Sequence, residues 1–145
     1  MKPVEGRKRV VIEEVQPQVD CGRYPAKRIL DDAVRVTAAI FGDGHDHVAA
    51  RLLYRHSSEP NWRTIPLIPL TNDLWTAAFT VDKLGDWLYT IEAWVDHFAT
   101  WCADLQKRIA AQNASNASGS VSQSQDISLA LLSGAIMLGQ IAQRA

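Results

Sequence analysis

A change of hydrophobic period within residues 84–101 constrains the fold more than any other part of the sequence. From Trp87 to Val95, large or apolar side chains alternate with their neighbours at a spacing of two, which is the period of a β-strand. After Asp96 the apolar side chains recur at spacings of three and four, the period of an α-helix. We therefore expect a long strand that leads into a helix, with strands before it and helices after it.

The sequence before residue 96 consists of short β-type runs separated by turn-forming residues. The predicted strands lie at about 9–15, 28–30, 34–40, 48–56, 62–70, 75–81 and 87–95. Pro66 and Pro69 interrupt the fifth run, and because proline cannot donate a ladder hydrogen bond, that strand is expected at a sheet edge. Short strands with turns between them, and no helical crossover, predict an antiparallel β-sandwich of immunoglobulin or fibronectin type.

The predicted fold class is thus mainly β, with a sandwich domain over residues 1–96 and a helical appendage over 97–145. The helices are expected at about 97–112 and 126–144, and a flexible linker over 113–125 is rich in small polar residues. The sequence ends directly after a hydrophobic helix, which suggests a fragment of a longer protein.

The second helix carries a broad apolar stripe that needs more than one partner surface. The first helix can supply one, and either a second copy of the chain or residues outside this sequence can supply the other. The candidate interface residues on the stripe are Ile127, Leu131, Leu138 and Ile141.

Charge and composition exclude several classes of function. Fifteen basic and 16 acidic residues give a net charge of −1, so there is no basic field for a nucleic-acid backbone. The amino terminus lacks the apolar core of a signal peptide, and no apolar run approaches the ~20 residues of a membrane helix. Cys21 and Cys102 are isolated thiols, which fits a reducing compartment. A cytoplasmic protein with no nucleic-acid or membrane partner is expected.

Residue types capable of chemistry are scattered rather than clustered. His45 and His47 lie in a turn without further ligands nearby, so a solvated turn is favoured over a metal site. His97 and Cys102 are five residues apart, a poor spacing for one helical face, and His56 is isolated, so surface or core-edge positions are expected for both histidines. Adjacent carboxylates point to opposite faces of a strand. We therefore predict no catalytic residue, no metal site and no cofactor.

The five tryptophans leave one alternative open. Trp75 and Trp87 are expected in the core, whereas Trp62 and Trp94 fall at a sheet edge and on the opposite strand face, and Trp101 falls on a helix. Aromatic platforms can stack on sugar rings, so Trp62 and Trp94 are candidate sugar contacts. A stand-alone carbohydrate-binding β-sandwich is the alternative function that these residues support.

The stretch around the change of period also resembles a known family. The pattern is Gly85-x-Trp87-x-Tyr89-x-Ile91-Glu92-Ala93-Trp94-x-Asp96-x-Phe98-x-Thr100-Trp101, followed by Asp104-Leu105-x-Lys107. Further matching segments are Gly22-Arg23-Tyr24-Pro25, Phe41-x-Asp43-Gly44-His45-Asp46, Leu53-Tyr54-Arg55 and Asn72-Asp73-x-Trp75. Together they resemble the amino-terminal domain of the bacterial alpha-1,4-glucan:maltose-1-phosphate maltosyltransferases of the alpha-amylase clan, over about residues 9–108 and more loosely over 126–144.

The resemblance implies a cytosolic homodimeric enzyme that transfers maltosyl units from maltose 1-phosphate to alpha-glucan by a retaining mechanism on a (β/α)8 barrel. No position here matches the nucleophile or acid/base motifs of that barrel, so this chain is expected to be non-catalytic. The resemblance implies a structural and dimerisation domain. Its expected partners are a second copy through the helices, the catalytic barrel domain and alpha-glucan.

Overall fold

A computed structural model describes residues 10–116 and 124–143 of the chain. The strands are β1 Val10–Gln16, β2 Ala33–Gly42, β3 Val48–His56, β4 Arg63–Pro66, β5 Ile68–Pro69, β6 Leu74–Thr80 and β7 Trp87–Val95. The helices are α1 His97–Asn116 and α2 Ser124–Ala142. The chain divides into two compact units, Met1–Val95 and Asp96–Ala145.

The first unit is a sandwich of two antiparallel sheets, as the sequence predicts. One sheet has the strand order β1-β2-β6-β5 and the other has the order β4-β3-β7. β2 pairs with β6 over Ala33 to Ala39, and β3 pairs with β7 over its whole length, from Val48 to His56. The first sheet has the A-B-E-D order of an immunoglobulin-type sandwich, and the second corresponds to C′-C-F.

Alternate side chains of the central strands form the core between the two sheets. Val36, Ile40 and Leu52 are the largest fully buried side chains of the described residues, and Phe79 lies beside them. Burying each such side chain contributes about 1.5–3 kcal/mol. Ala77, Phe79 and Val81 are buried at a spacing of two. The predicted alternation along β7 is confirmed, because every second residue from Trp87 to Val95 is the less exposed one. Burial thus follows the period-two pattern visible in the sequence.

The predicted strand at 62–70 is two short strands that belong to different sheets. β4 pairs with β3, and β5 pairs with β6. Leu67 between them is buried and donates its N–H to the carbonyl of Ala50 at 2.9 Å. The chain passes from one sheet to the other at this buried residue. Pro66 and Pro69 end up in outermost strands, so the predicted edge position is confirmed.

The predicted short strand at 28–30 is wrong. These residues lie in an irregular segment between β1 and β2, and the side chain of Ile29 is 73% exposed. The backbone N–H of Ile29 bonds to Oδ2 of Asp32 at 3.1 Å, and its carbonyl accepts the N–H of Asp32 at 3.2 Å. A local turn therefore uses the groups that a strand would need.

In the second unit, Asp96 caps the amino terminus of α1. Its Oδ1 accepts the N–H of Ala99 at 2.9 Å, which satisfies a donor left free in the first helical turn. α1 continues to Asn116, so the first four residues of the predicted linker at 113–125 are helical, because no proline or glycine occurs there. Residues 117–123 of that linker lie outside the described residues.

The two helices meet through a large side chain on a small one. Trp101 of α1 donates its indole N–H to the carbonyl of Ala130 on α2 at 2.7 Å. Its ring lies directly against buried Gly134, where an added Cβ would be 2.1 Å from the ring. The absence of a side chain at residue 134 is therefore what admits the indole.

Candidate functional site

The solvent-facing side of the β4-β3-β7 sheet, which we call the outer face, carries both candidate sugar-binding tryptophans. Trp94 on β7 is 44% exposed and lies opposite Ala49, whereas Trp62 precedes β4 and is 40% exposed. The register of β4 on β3 places Trp62 beside Arg55, six residues from Ala49 along β3, or about 20 Å at 3.3 Å per residue. The two indoles thus lie at opposite ends of one face, so a single sugar ring could not contact both.

Trp94 lies beside an ion pair that joins two strands of the outer face. Arg51 bonds Glu92 through Nε at 2.8 Å and Nη2 at 2.7 Å, and its guanidinium lies 5.7 Å from the centre of the Trp94 ring. All three side chains are about half exposed, so the ion pair itself adds little stability. Its chemical value is a guanidinium and a carboxylate held at fixed positions beside an aromatic ring, a combination that can bond sugar hydroxyl groups.

Trp62 has a similar arrangement at the other end. The Arg55 guanidinium lies 4.8 Å from the ring centre, and Nη1 donates to the carbonyls of Glu59 at 3.1 Å and Pro60 at 3.3 Å. One face of each indole therefore meets an arginine, a contact worth about 0.5–1 kcal/mol at an exposed site. The sequence identified the two rings but missed Arg51 and Arg55, although their spacing along β3 places them on the same face.

The other tryptophans of the sandwich support its interior. Trp75 is half-buried and donates its indole N–H to the carbonyl of Ile40 at 3.0 Å. Trp87 packs with the rings of Tyr54 and Phe79 at centroid distances of 6.3 and 5.9 Å. The predicted core role of Trp75 and Trp87 is confirmed.

Of the two positions expected for His56, surface or core edge, the structure excludes the surface, because only 7% of its area is exposed. The N–H of Ser58 donates to Nδ1 at 3.2 Å, so the ring proton is assigned to Nε2, which donates to the carbonyl of Leu84 at 3.1 Å. Both ring nitrogens therefore have partners, and the imidazole ring packs against Trp87 in a T-shaped arrangement. These contacts of His56 could not be predicted from the sequence, because Leu84 is 28 residues away along the chain.

Four charged side chains, Glu59, Arg63, Lys83 and Asp82, form a surface network next to this histidine. Glu59 accepts hydrogen bonds from Arg63 at 3.0 Å and from Lys83 at 3.2 Å. The hydrogen bond from Lys83 lowers the pKa of the Glu59 carboxyl, and the charge of Glu59 raises the pKa of Arg63. The network joins the start of β4 to the turn before β7 and has a structural role.

A groove of about 850 Å³, lined by both apolar and charged side chains, opens on the side of the sandwich where β1 and β7 lie. It is lined by Phe79 and Val81 from the core, by Trp87, Tyr89 and Ile91 of β7 and by the segment at 21–30. Tyr89 donates its hydroxyl to the carbonyl of Pro17, and burial raises the pKa of this phenol. The sequence did not predict the groove, because residues far apart in the chain form it.

In the helical unit, the stripe predicted as an interface is largely open to solvent. Leu131 and Leu138 are each 51% exposed, Ile127 is partly buried, and the side chain of Ile141 lies outside the described residues. Further exposed apolar side chains on α2 are Leu129, Leu132 and Ile136. α1 instead packs near Ala130 and Gly134, because only small residues there accommodate Trp101.

His45 and His47 are exposed in the turn between β2 and β3. Within residues 10–116 and 124–143, no group of three or more histidine, cysteine or acidic residues could hold a metal ion. Cys21 and Cys102 are both free thiols. In the same described ranges, neither helix is sufficiently long and apolar to traverse a lipid bilayer.

Fold and surfaces together define a β-sandwich domain with a helical extension, whose main surface features are aromatic and apolar. The family described as alpha-1,4-glucan:maltose-1-phosphate maltosyltransferase, domain N/S, matches residues 8–145. The chain belongs to this family, which confirms the resemblance found in the sequence.

Full-length relatives carry the same enzyme name. The chain is 42% identical to the Chlorobaculum tepidum maltosyltransferase over 99% of its own length and 20% of that protein. It is 43% identical to the Methylacidiphilum infernorum enzyme over 72% of its length and 16% of that protein, and 39% identical to the Salinibacter ruber enzyme over 70% and 15%. The chain thus spans a fifth or less of the length of these relatives.

Proposed function

We propose that this chain is the non-catalytic, interface-forming amino-terminal domain of a maltosyltransferase that extends alpha-1,4-glucan from maltose 1-phosphate. The observation that carries the proposal is the match to domain N/S over residues 8–145, together with 42% identity to a named maltosyltransferase over 99% of the chain. Since that relative is about five times longer, the barrel chemistry is assigned to polypeptide outside these 145 residues. Free Cys21 and Cys102 fit a cytoplasmic location.

The non-catalytic assignment has a direct test. Pure 145-residue chain, incubated with maltose 1-phosphate and soluble alpha-glucan, is expected to release no phosphate. A full-length maltosyltransferase assayed in parallel shows that the substrates are competent. Turnover by the chain alone would contradict the assignment.

Self-association through α2 is the proposed interface role. Leucine side chains half exposed to water favour burial against a second apolar surface, and about half of the free energy of full burial, about 0.8–1.5 kcal/mol for each side chain, is still available. Leu131→Asp and Leu138→Asp place a carboxylate on that surface and are expected to shift the chain to the monomer in sedimentation velocity. Gln140→Asp, on the opposite side of the same helix, is the matched control. A Leu131→Asp variant as dimeric as the parent would remove the helical interface from the proposal.

The second candidate function is glucan binding by the outer face. It is favoured by two half-exposed indoles, Trp62 and Trp94, on one face of the β4-β3-β7 sheet. Retardation of the chain in gels containing soluble starch measures it, with Trp62→Ala and Trp94→Ala as tests. Leu88→Ala is the control, because Leu88 is exposed on the same face to the same extent as Trp94. Equal mobility of the chain with and without starch would count against this candidate.

A further inference from the structure

The turn between β2 and β3 contains the one aspartate of this sequence that is followed by a glycine, in the pair Asp43-Gly44. The backbone nitrogen of the residue after an aspartate can attack the aspartate carboxyl carbon and close a five-membered succinimide ring. Glycine favours this attack because it has no Cβ to obstruct the approach. In a folded protein the attack also requires that the structure does not hold the nitrogen and the carboxyl apart.

The structure leaves both reacting groups of this pair unrestrained. Strand pairing on β2 ends at Gly42, and on β3 it begins at Val48, so Asp43 and Gly44 lie outside the ladders. Both residues are exposed. Among the residues that the structure describes, the Gly44 N–H and the Asp43 carboxylate have no hydrogen-bond or ion-pair partner. No bond has to break before the two groups approach each other.

The backbone at Gly44 also has room to turn. Its φ is 90°, a conformation that glycine adopts readily, and a Cβ built on it would meet no atom within 4 Å. Rotation about the Cα–C bond of Asp43 brings the Gly44 nitrogen toward the carboxyl of Asp43. At Gly44 this rotation meets no packed neighbour.

Other aspartates lack one or more of these features. Asp73 is exposed, but the next N–H, that of Leu74, donates to the carbonyl of Thr71 at 3.3 Å, and the leucine side chain hinders attack. Asp46 lies in the same turn as Asp43, but it is partly buried and precedes His47. Asp46 is therefore a natural control three residues away.

We propose that Asp43 is a site of spontaneous isoaspartate formation. The Gly44 nitrogen loses its proton and bonds Cγ of the protonated Asp43 carboxyl, whose hydroxyl leaves as water. One water then adds to either ring carbonyl and breaks its bond to nitrogen. Cleavage at Cγ restores aspartate, whereas cleavage at the main-chain carbonyl routes the backbone through the side chain. The net composition is unchanged, and the turn gains one main-chain carbon.

Peptide mapping of the aged protein tests the site. The folded 145-residue chain is incubated at pH 6 and digested with trypsin, which releases residues 36–51 as one peptide that contains both Asp43 and Asp46. Electron-transfer fragmentation shows which of the two has become isoaspartate. We expect accumulation at Asp43 at a rate within about threefold of that in a synthetic peptide of the same sequence, and at least about tenfold less at Asp46, because the exposed pair reacts without local unfolding.

Two variants separate this chemistry from general degradation. Asp43→Glu would have to close a six-membered ring, so we expect its residues 36–51 to stay unmodified at position 43. Asp43→Asn undergoes the same attack with ammonia as the leaving group, and it is expected to convert faster than the parent, with the gain in mass of an amide-to-acid change.

Three results would overturn the inference. The first is a rate at Asp43 in the folded chain about tenfold or more below that of the free peptide, which would mean that the turn holds the groups apart. The second is equal isoaspartate at Asp43 and Asp46. The third is an Asp43→Asn chain that converts no faster than the parent. None of these measurements depends on the proposed function, since they follow one peptide bond.

Discussion

Replacing Gly134 with alanine sets two physical effects against each other. In a helix interior, Gly→Ala is stabilising by about 1 kcal/mol because alanine loses less backbone entropy. At residue 134, however, the new Cβ would lie 2.1 Å from Cζ2 and 2.6 Å from Cε2 of Trp101. The indole must move by more than an ångström, which removes its packing on α2 and strains its hydrogen bond to the Ala130 carbonyl.

The relative sizes of these effects decide whether Gly134→Ala raises or lowers the stability of the helical unit. Overpacking costs about 1–3 kcal/mol, and loss of the hydrogen bond adds about 1 kcal/mol. After the helix-propensity gain of about 1 kcal/mol, Gly134→Ala is expected to destabilise the helical unit by about 1–3 kcal/mol. Gly139→Ala on the same helix meets no atom within 4 Å and is expected to stabilise it by up to about 1 kcal/mol. The same chemical change thus has opposite effects five residues apart.

Urea unfolding followed by circular dichroism at 222 nm measures these changes, because the helical unit gives most of that signal. A third variant isolates the cause. In a Trp101→Ala background the ring is gone, so Gly134→Ala is expected to become stabilising by about 1 kcal/mol. The reasoning is refuted if Gly134→Ala stabilises the parent chain as much as Gly139→Ala does.

Three further predictions concern the sandwich. Ser57 donates its N–H to the carbonyl of Asp86 in register with the β3–β7 pairing, so the even-numbered residues of β7 bond β3 and the odd-numbered ones do not. Thr90→Pro is therefore expected to cost at least about 2 kcal/mol more than Ala93→Pro, and equal urea midpoints would contradict these backbone directions. Gly85→Ala places a Cβ 2.5 Å from the ring of buried His56 and also strains the backbone, which has φ 129° at residue 85. Gly44→Ala is the control, because it has the backbone strain of φ 90° but meets no atom within 4 Å. The thermal midpoint should therefore fall further for Gly85→Ala, and an equal fall in the two variants would contradict this packing. The pKa of the Glu59 carboxyl is lowered from 4.5, so its contribution to stability is present above that pH and is lost as the pH falls through the folded-state value. The difference in urea midpoint between the parent and Glu59→Gln should therefore shrink in acid, and a difference unchanged from pH 7 to pH 3 would contradict the assignment.

The strands and the direction of their side chains could be predicted where one face of a strand is buried and the other is exposed to solvent. Trp87 to Val95 is such a strand, and the structure has it with the predicted bounds. The prediction failed at 28–30, because a local turn at Asp32 competes with strand pairing and leaves no hydrophobic pattern. The prediction also missed the change of sheet at Leu67. A run with one buried residue between two prolines has the same sequence pattern as a continuous edge strand.

The candidate sites divide in the same way. Trp62 and Trp94 could be selected as surface aromatics from their strand positions, but their distance along the outer face depends on the register of β4 and β7 on β3. The hydrogen bonds of His56 could not be predicted, because Leu84 reaches it only after β3 and β7 have paired.

By itself, the sequence determined the class of fold, the change from strand to helix at Asp96 and the family, because these depend on local period, capping and residue identity. Only the tertiary structure decided which strands lie at the sheet edges, which face of α2 packs on α1 and where the groove beside β7 lies. These properties arise when residues distant in the chain come together, and no local pattern specifies the distance or direction at which they meet.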